Sequence, residues 1–170
     1  TVLNAIYAKT GQTGVLYQIR NVLYKERKQQ MTDVRDVLCE GCDALYRIDY
    51  HYVQGTEMHG IIVGGNIRCF LKLSGTAYMP DLNGKILLLE SRSGTVARME
   101  TYLSQLQQIG AFEQIAGILL GTFTEMEAKQ CMPDIVQLVK KYVRKTMPIA
   151  VTKQIGHGTD AKGIVIGGEL

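Results

Sequence analysis

Gly84-Lys85-Ile86-Leu87-Leu88-Leu89-Glu90 is the stretch on which the fold turns. Four consecutive branched apolar residues after the turn-rich Pro80-Asp81-Leu82-Asn83-Gly84 leave no polar face. They predict a strand covered on both sides. Strands of that kind belong to parallel sheets, and such sheets present functional side chains at strand C-termini, where Glu90 stands. Toward the C-terminus, Met99, Tyr102, Leu103, Leu106 and Ile109 form the apolar stripe of a helix that Gly110 ends. Residues 115–120 read as a second buried strand stopped by Gly121. Pro133 and Asp134 open another amphipathic helix, with Ile135, Leu138, Val139, Tyr142 and Val143 inward. Its Lys140, Lys141, Arg144 and Lys145 form a solvated end that complements the helix dipole. Residues 149–151 and 164–166 are final short strands. This alternation of strand and helix predicts an α/β fold with a parallel core.

Toward the N-terminus, residues 61–63 predict a short buried strand running into Gly64-Gly65-Asn66. Asn66 is placed to cap the helix that Ile67, Phe70 and Leu71 restart. Residues 44–53 alternate loosely, with Tyr46, Ile48, Tyr50 and Tyr52 on one side, and predict a half-buried strand. Residues 32–38 predict a short helix with Thr32 as N-cap and Gly41 as its break. Val15, Leu16, Ile19, Val22 and Leu23 recur at helical spacing among Arg20, Lys25, Arg27 and Lys28. Leu3, Ile6 and Tyr7 predict a first helix ended at Thr10-Gly11.

A chain of 170 residues with 46% hydrophobic and 21% charged residues is ordinary globular protein, one domain or at most two small ones. No apolar run approaches the roughly 18 residues that cross a bilayer. Nineteen Lys and Arg against 16 Asp and Glu give +3, too weak a balance for a nucleic-acid protein. Neither a membrane nor a nucleic acid is expected as a partner. Four cysteines are too few for a disulfide scaffold and suit a reducing cytoplasm. Cys39 and Cys42 have CxxC spacing with His51 and His59 downstream, which leaves a zinc module imaginable. The spacing fits no strong finger pattern, so unbound thiols, no metal and no cofactor are expected. The chain opens at Thr1 directly inside a helical pattern, which reads as a piece of a longer protein.

The four serines, Ser74, Ser91, Ser93 and Ser104, do not sit in a strand-to-helix elbow, so no nucleophile is visible. Glu90 alone reads equally as a strand-end carboxylate paired with Arg92. His157 alone, between Gly156 and Gly158, reads as an exposed loop histidine on a permissive backbone. Together, a carboxylate that orients an imidazole makes two thirds of a Ser-His-acid triad. Gly64-Gly65-Asn66 offers backbone N–H groups to an anionic group, or is simply a tight turn.

The ordered series Gly64-Gly65-Asn66, Gly75-Thr76-Ala77-Tyr78-Met79-Pro80-Asp81, Gly84 to Glu90, Ile115 to Gly121 and Gly156-His157-Gly158 resembles the LD-carboxypeptidase family. That family comprises the serine muramoyl-tetrapeptide carboxypeptidases and includes the microcin C self-immunity hydrolases. The resemblance implies a swivelling β/β/α C-terminal domain over residues 31–170, preceded in residues 1–30 by a helical remnant and linker of an N-terminal α/β domain. Tyr7-Ala8-Lys9-Thr10-Gly11 matches the end of the helix that follows the family's nucleophilic serine, which would then lie upstream. Glu90 matches the triad acid and His157 the triad base, and Gly65 and Asn66 become candidate substrate-binding residues. The implied reaction releases terminal D-alanine from a murein tetrapeptide in wall recycling, without metal, in a homodimer. The 170 residues alone would be inactive. Two other readings stand beside it: a peptide-nucleotide hydrolase of the microcin C type, and a dimerisation or docking module with Tyr46, Tyr50 and Tyr52 on its contact surface.

Overall fold

The computed structural model describes residues 1–23 and 28–170. Lys25 and Arg27, grouped above with an early helix, lie outside the described residues. The elements run α1 (Val2–Thr10), β1 (Gly14–Leu16), a 3-10 turn (Ile19–Leu23), α2 (Lys28–Glu40), a second 3-10 turn (Ala44–Tyr46), β2 (His51–Gln54), β3 (Ile62–Asn66) and α3 (Ile67–Leu71). After these come β4 (Ile86–Ser91), α4 (Val96–Gln108), α5 (Ala111–Gln114), β5 (Gly117–Phe123), α6 (Thr124–Ala128), α7 (Ile135–Lys140), β6 (Ile149–Val151) and β7 (Ile164–Ile166).

Five strands form one sheet in the order β2-β6-β5-β4-β3, and β1 pairs with β7 in a separate ribbon. The β3, β4, β5 and β6 neighbours are parallel, and β2 is added antiparallel at one edge. This is the α/β fold with a parallel core that the apolar runs predict. Every residue of β4 and β5 is buried. Alternation along β4 sends Leu87 and Leu89 into a core with Phe70, Leu103, Leu106 and Leu138 of the helices. It sends Ile86 and Leu88 to the opposite face, against Ile164 and Ile166 of the ribbon and Leu3 of α1. Helices, sheet and ribbon therefore stack as three layers, in the β/β/α order.

Several local expectations change. The helix through Val15 to Leu23 is instead β1 followed by a 3-10 turn. Only part of its apolar stripe meets a core: Leu16 packs on the ribbon-side cluster, whereas Val15, Ile19 and Leu23 are exposed. Pairing of Gly14, Val15 and Leu16 with β7 supplies the hydrogen bonds that a helix would have supplied. Thr32 lies inside α2 rather than capping it, four residues after that helix begins. The strand foreseen over residues 44–53 shrinks to His51–Gln54, preceded by a 3-10 turn. Only Tyr52 of the three tyrosines lies in the strand, with Tyr50 edge-on to it at 5.9 Å. The Pro133 helix stops at Lys140, opened by an Asp134 capping box.

Candidate active site

Glu90 is the fifth residue of β4, so the alternation that turns Ile86 and Leu88 toward the ribbon turns its side chain there too. Asn66 lies opposite it in the β3–β4 register. The Asn66 side chain favours the charged form of the Glu90 carboxyl. Its Oδ1 also accepts the Cys69 N–H at 3.3 Å, which caps α3 as the sequence predicts.

The end of β5 builds the floor beneath the histidine. A Cβ on Gly121 would lie 2.6 Å from the Ile155 carbonyl oxygen and 3.1 Å from the Glu90 Cβ, so only glycine lets the strand and the loop meet. Thr122 N–H donates to the Ile155 carbonyl at 2.8 Å. Its hydroxyl oxygen accepts the His157 N–H at 3.3 Å. Gly156 has φ +133° and packs directly on the Thr122 hydroxyl, where a side chain would collide.

These contacts bring the imidazole over the carboxylate. His157 Nε2 lies 3.2 Å from Glu90 Oε2, across 67 residues of sequence. Oε2 is fully buried and the contact is an ion-pair approach rather than an aligned hydrogen bond. On the far side of the ring, the Gln18 amide nitrogen lies 2.6 Å from Nδ1. Burial pushes the Glu90 carboxyl up to about 7, against the opposing effect of Asn66. Burial, then the charges of Arg92 and Arg20, push the His157 imidazole below its ordinary value. Both shifts favour neutral partners, while the mutual attraction of a carboxylate and an imidazolium at 3.2 Å works the other way.

The pair opens into a cavity of about 370 Å³ that Gly65, Asn66, Arg68, Arg98 and Tyr102 also line. All four site residues named from the sequence, Glu90, His157, Gly65 and Asn66, therefore meet at one place. Gly65 has φ +123°, and a Cβ there would approach Leu16 Cδ2 to 3.1 Å. Gly64 beside it is held by a residue the sequence did not mark. Buried Asn4 of α1 donates to the Gly64 carbonyl at 2.7 Å and accepts its N–H at 2.8 Å.

Sequence reasoning also missed Gln18 and Thr122. Thr122 follows Gly121 at the end of a buried strand, and the strand-end rule that singled out Glu90 could have found it. Gln18 carried no such signal, because its segment was read as a helix. Cys69 lines the cavity, whereas the CxxC pair lies elsewhere. Cys39 and Cys42 are exposed free thiols. Among the described residues no cluster of three His, Cys, Asp or Glu side chains could hold a metal. No helix among the described residues is long and apolar enough to cross a membrane.

Comparison with known proteins agrees with this architecture. Residues 59–170 match the family model described as the LD-carboxypeptidase C-terminal domain. A Treponema pallidum (strain Nichols) protein designated a candidate carboxypeptidase is 33% identical over 126 residues, 71% of this chain and 36% of the relative. The microcin C7 self-immunity protein MccF of Escherichia coli is 30% identical over 78 residues, 45% of this chain and 23% of the relative. The chain thus spans about a third or less of the length of these relatives. A solved structure of MccF in complex with glutamyl sulfamoyl guanosine superposes with a TM-score of 0.79 at 17% identity, covering 99% of this chain and 60% of that one. The muramoyltetrapeptide carboxypeptidase of Oxalobacter formigenes superposes with 0.73 at 19% identity and the same coverage. The fold is shared with both, and by its matched domain the chain belongs to the LD-carboxypeptidase family.

Proposed function

We propose that this chain supplies the base and the acid of a serine-type LD-carboxypeptidase, His157 and Glu90. The observation that carries the reading is their 3.2 Å approach at the wall of one cavity. The nucleophile would come from a preceding α/β domain, of which residues 1–30 are the end and linker, while residues 31–170 form the domain that holds the pair. His157 would take the serine proton as the hydroxyl oxygen attacks the L,D-peptide carbonyl, and then return it to the departing D-alanine amine. Water would hydrolyse the acyl-enzyme with the same imidazole as base, restoring the serine. Glu90 would hold the ring and stabilise the imidazolium, and the backbone at Gly65 and Asn66 would receive the substrate. The substrate favoured is a murein tetrapeptide, acted on in a bacterial cytoplasm during peptidoglycan recycling by a homodimer.

The test is D-alanine release from murein tetrapeptide by a longer protein that contains this chain and an upstream serine. Activity that His157→Ala and Glu90→Gln each reduce at least a hundredfold is the expected result. Full activity in His157→Ala would sink the assignment. The structural likeness to MccF favours a second reading, hydrolysis of a peptide-nucleotide. Release of amino acid from an aminoacyl-nucleotide analogue, with the tetrapeptide untouched, would select it. Inertness toward both substrates would leave the docking-module reading.

A further inference from the structure

We infer that Gln18 is a positioning residue for His157: its side-chain amide fixes the imidazole tautomer and covers the ring nitrogen at which a nucleophile's hydroxyl would have to arrive. The inference deepens the reading of His157 as the base and rests on it. An amide –NH2 only donates, and it lies 2.6 Å from Nδ1. Nδ1 must therefore carry its lone pair. In the neutral ring the proton is then on Nε2, the nitrogen that faces Glu90 Oε2 at 3.2 Å. A single contact thus selects the tautomer a triad requires on its acid side.

The same contact is incompatible with an imidazolium, whose Nδ1–H would meet the N–H of the amide. Of the charged groups around the ring, Arg92 beyond β4 and Arg20 in the first 3-10 turn oppose its protonation, as burial does. Glu90 favours protonation. Lys162, which lines the small space between Gln18 and Glu90, is occupied with the Arg47 carbonyl at 2.6 Å. The amide can answer to the proton itself, by turning its oxygen to an Nδ1–H or by giving up its place to an incoming hydroxyl.

Gln18 is not a side chain that happens to reach the ring. Its segment is tied to the histidine loop at further points: Asn21 donates to the Gly158 carbonyl at 3.3 Å, and Gln30 to the Thr159 and Ala161 carbonyls at 3.0 and 3.3 Å. Side-chain amides before α2 and within it therefore hold the loop that carries His157.

The test reads the ring directly, in long-range ¹H–¹⁵N spectra of the 170-residue chain labelled at histidine, with His157→Ala to assign the signals. The unsubstituted chain should show an unprotonated Nδ1 and a protonated Nε2. Gln18→Ala should give a mixture of tautomers and an upward shift of the His157 titration. Gln18→Glu, nearly isosteric, should move the proton to Nδ1 and raise the titration further. That order, Gln below Ala below Glu, is one that a packing role would not produce. An Nδ1–H tautomer in the unsubstituted chain, or identical ring spectra in all three, overturns the inference. In the longer protein the acid limb of the kcat/KM profile should move upward in Gln18→Ala by the same amount as the ring titration. Full activity of His157→Ala in the longer protein defeats the reading of His157 as base, and unchanged spectra defeat the role of Gln18, so the two failures are told apart.

Discussion

The most consequential single side chain is Glu90, a carboxyl whose affinity for protons rises on folding. Between pH 4.5 and about 7 the folded chain retains a proton there that the unfolded chain has released. Stability therefore falls as the pH rises through that window, by up to about 3 kcal/mol. His157 acts oppositely. Its folded imidazole binds a proton less readily than the unfolded one, so its contribution is present above pH ~6.5 and is lost as the pH falls. Glu90→Gln should therefore raise stability at pH 7 and reverse the slope below it, as urea unfolding across pH 4 to 8 would show. A slope unchanged by the substitution would contradict the buried-carboxyl account. Gly156→Ala is the second case at this scale. With φ +133° and the Thr122 hydroxyl against it, the position admits no methyl group without displacing the loop. A loss of roughly 1–3 kcal/mol is expected, together with loss of the His157 signals characteristic of the Glu90 contact. At residue scale a strand end and a glycine pair drew notice to Glu90 and His157, and the fold sets these two side chains 3.2 Å apart. The sequence was silent on Asn4 and Gln18, whose partners lie 60 and 139 residues away and leave no local pattern.

Among the elements, those with a continuous apolar run or a full amphipathic stripe were legible. β4 and α4 are central, and tertiary packing and local pattern ask the same thing of them. The segment from Val15 to Leu23 failed for the converse reason. Its spacing satisfies a helix, but the available partner is the edge of β7, and pairing decided. α1 illustrates an element held by one polar residue. Asn4→Ala would remove both hydrogen bonds to Gly64 and leave a buried N–H and a buried carbonyl without that partner. A cost of about 2–4 kcal/mol is expected from the lost bonds and desolvated groups, measurable as a shift in the urea midpoint. Asn4→Asp keeps the acceptor for the N–H but sets a carboxylate oxygen against the Gly64 carbonyl, so its deficit should shrink at low pH. The Asp134 box is a more ordinary device, and Asp134→Ala should cost about 1 kcal/mol.

For the molecule as a whole, the ribbon layer binds sequence ends together: β1 pairs with β7, and α1 packs on Gly64, Leu88 and Ile166 through Asn4 and Leu3. A polypeptide of residues 31–170 would leave β7 without its pairing strand and the cluster of Ile86, Leu88, Ile164 and Ile166 without Leu3 and Leu16. It should unfold at lower urea than the 170-residue chain and lose amide protection in β3 and β7 first, readable by hydrogen exchange. Equal stability of the two would mean that the ribbon contributes little. The three-layer order was legible only through resemblance, because β1 and β7 are three residues each and carry no periodicity that distinguishes a ribbon from a loop. The Asn4 side chain has a further consequence, for self-association. The open margin of β3 offers no vacant ladder at Gly64, whose N–H and carbonyl are already engaged, nor at Ile62, whose N–H and carbonyl are taken by Gly168 and Gly167. A strand from a neighbouring molecule finds nothing there to extend, and the opposite margin, β2, is four residues long with an irregular register. A sheet rich in leucine and isoleucine is in this way kept from seeding fibrils, by an asparagine at one border and brevity at the other.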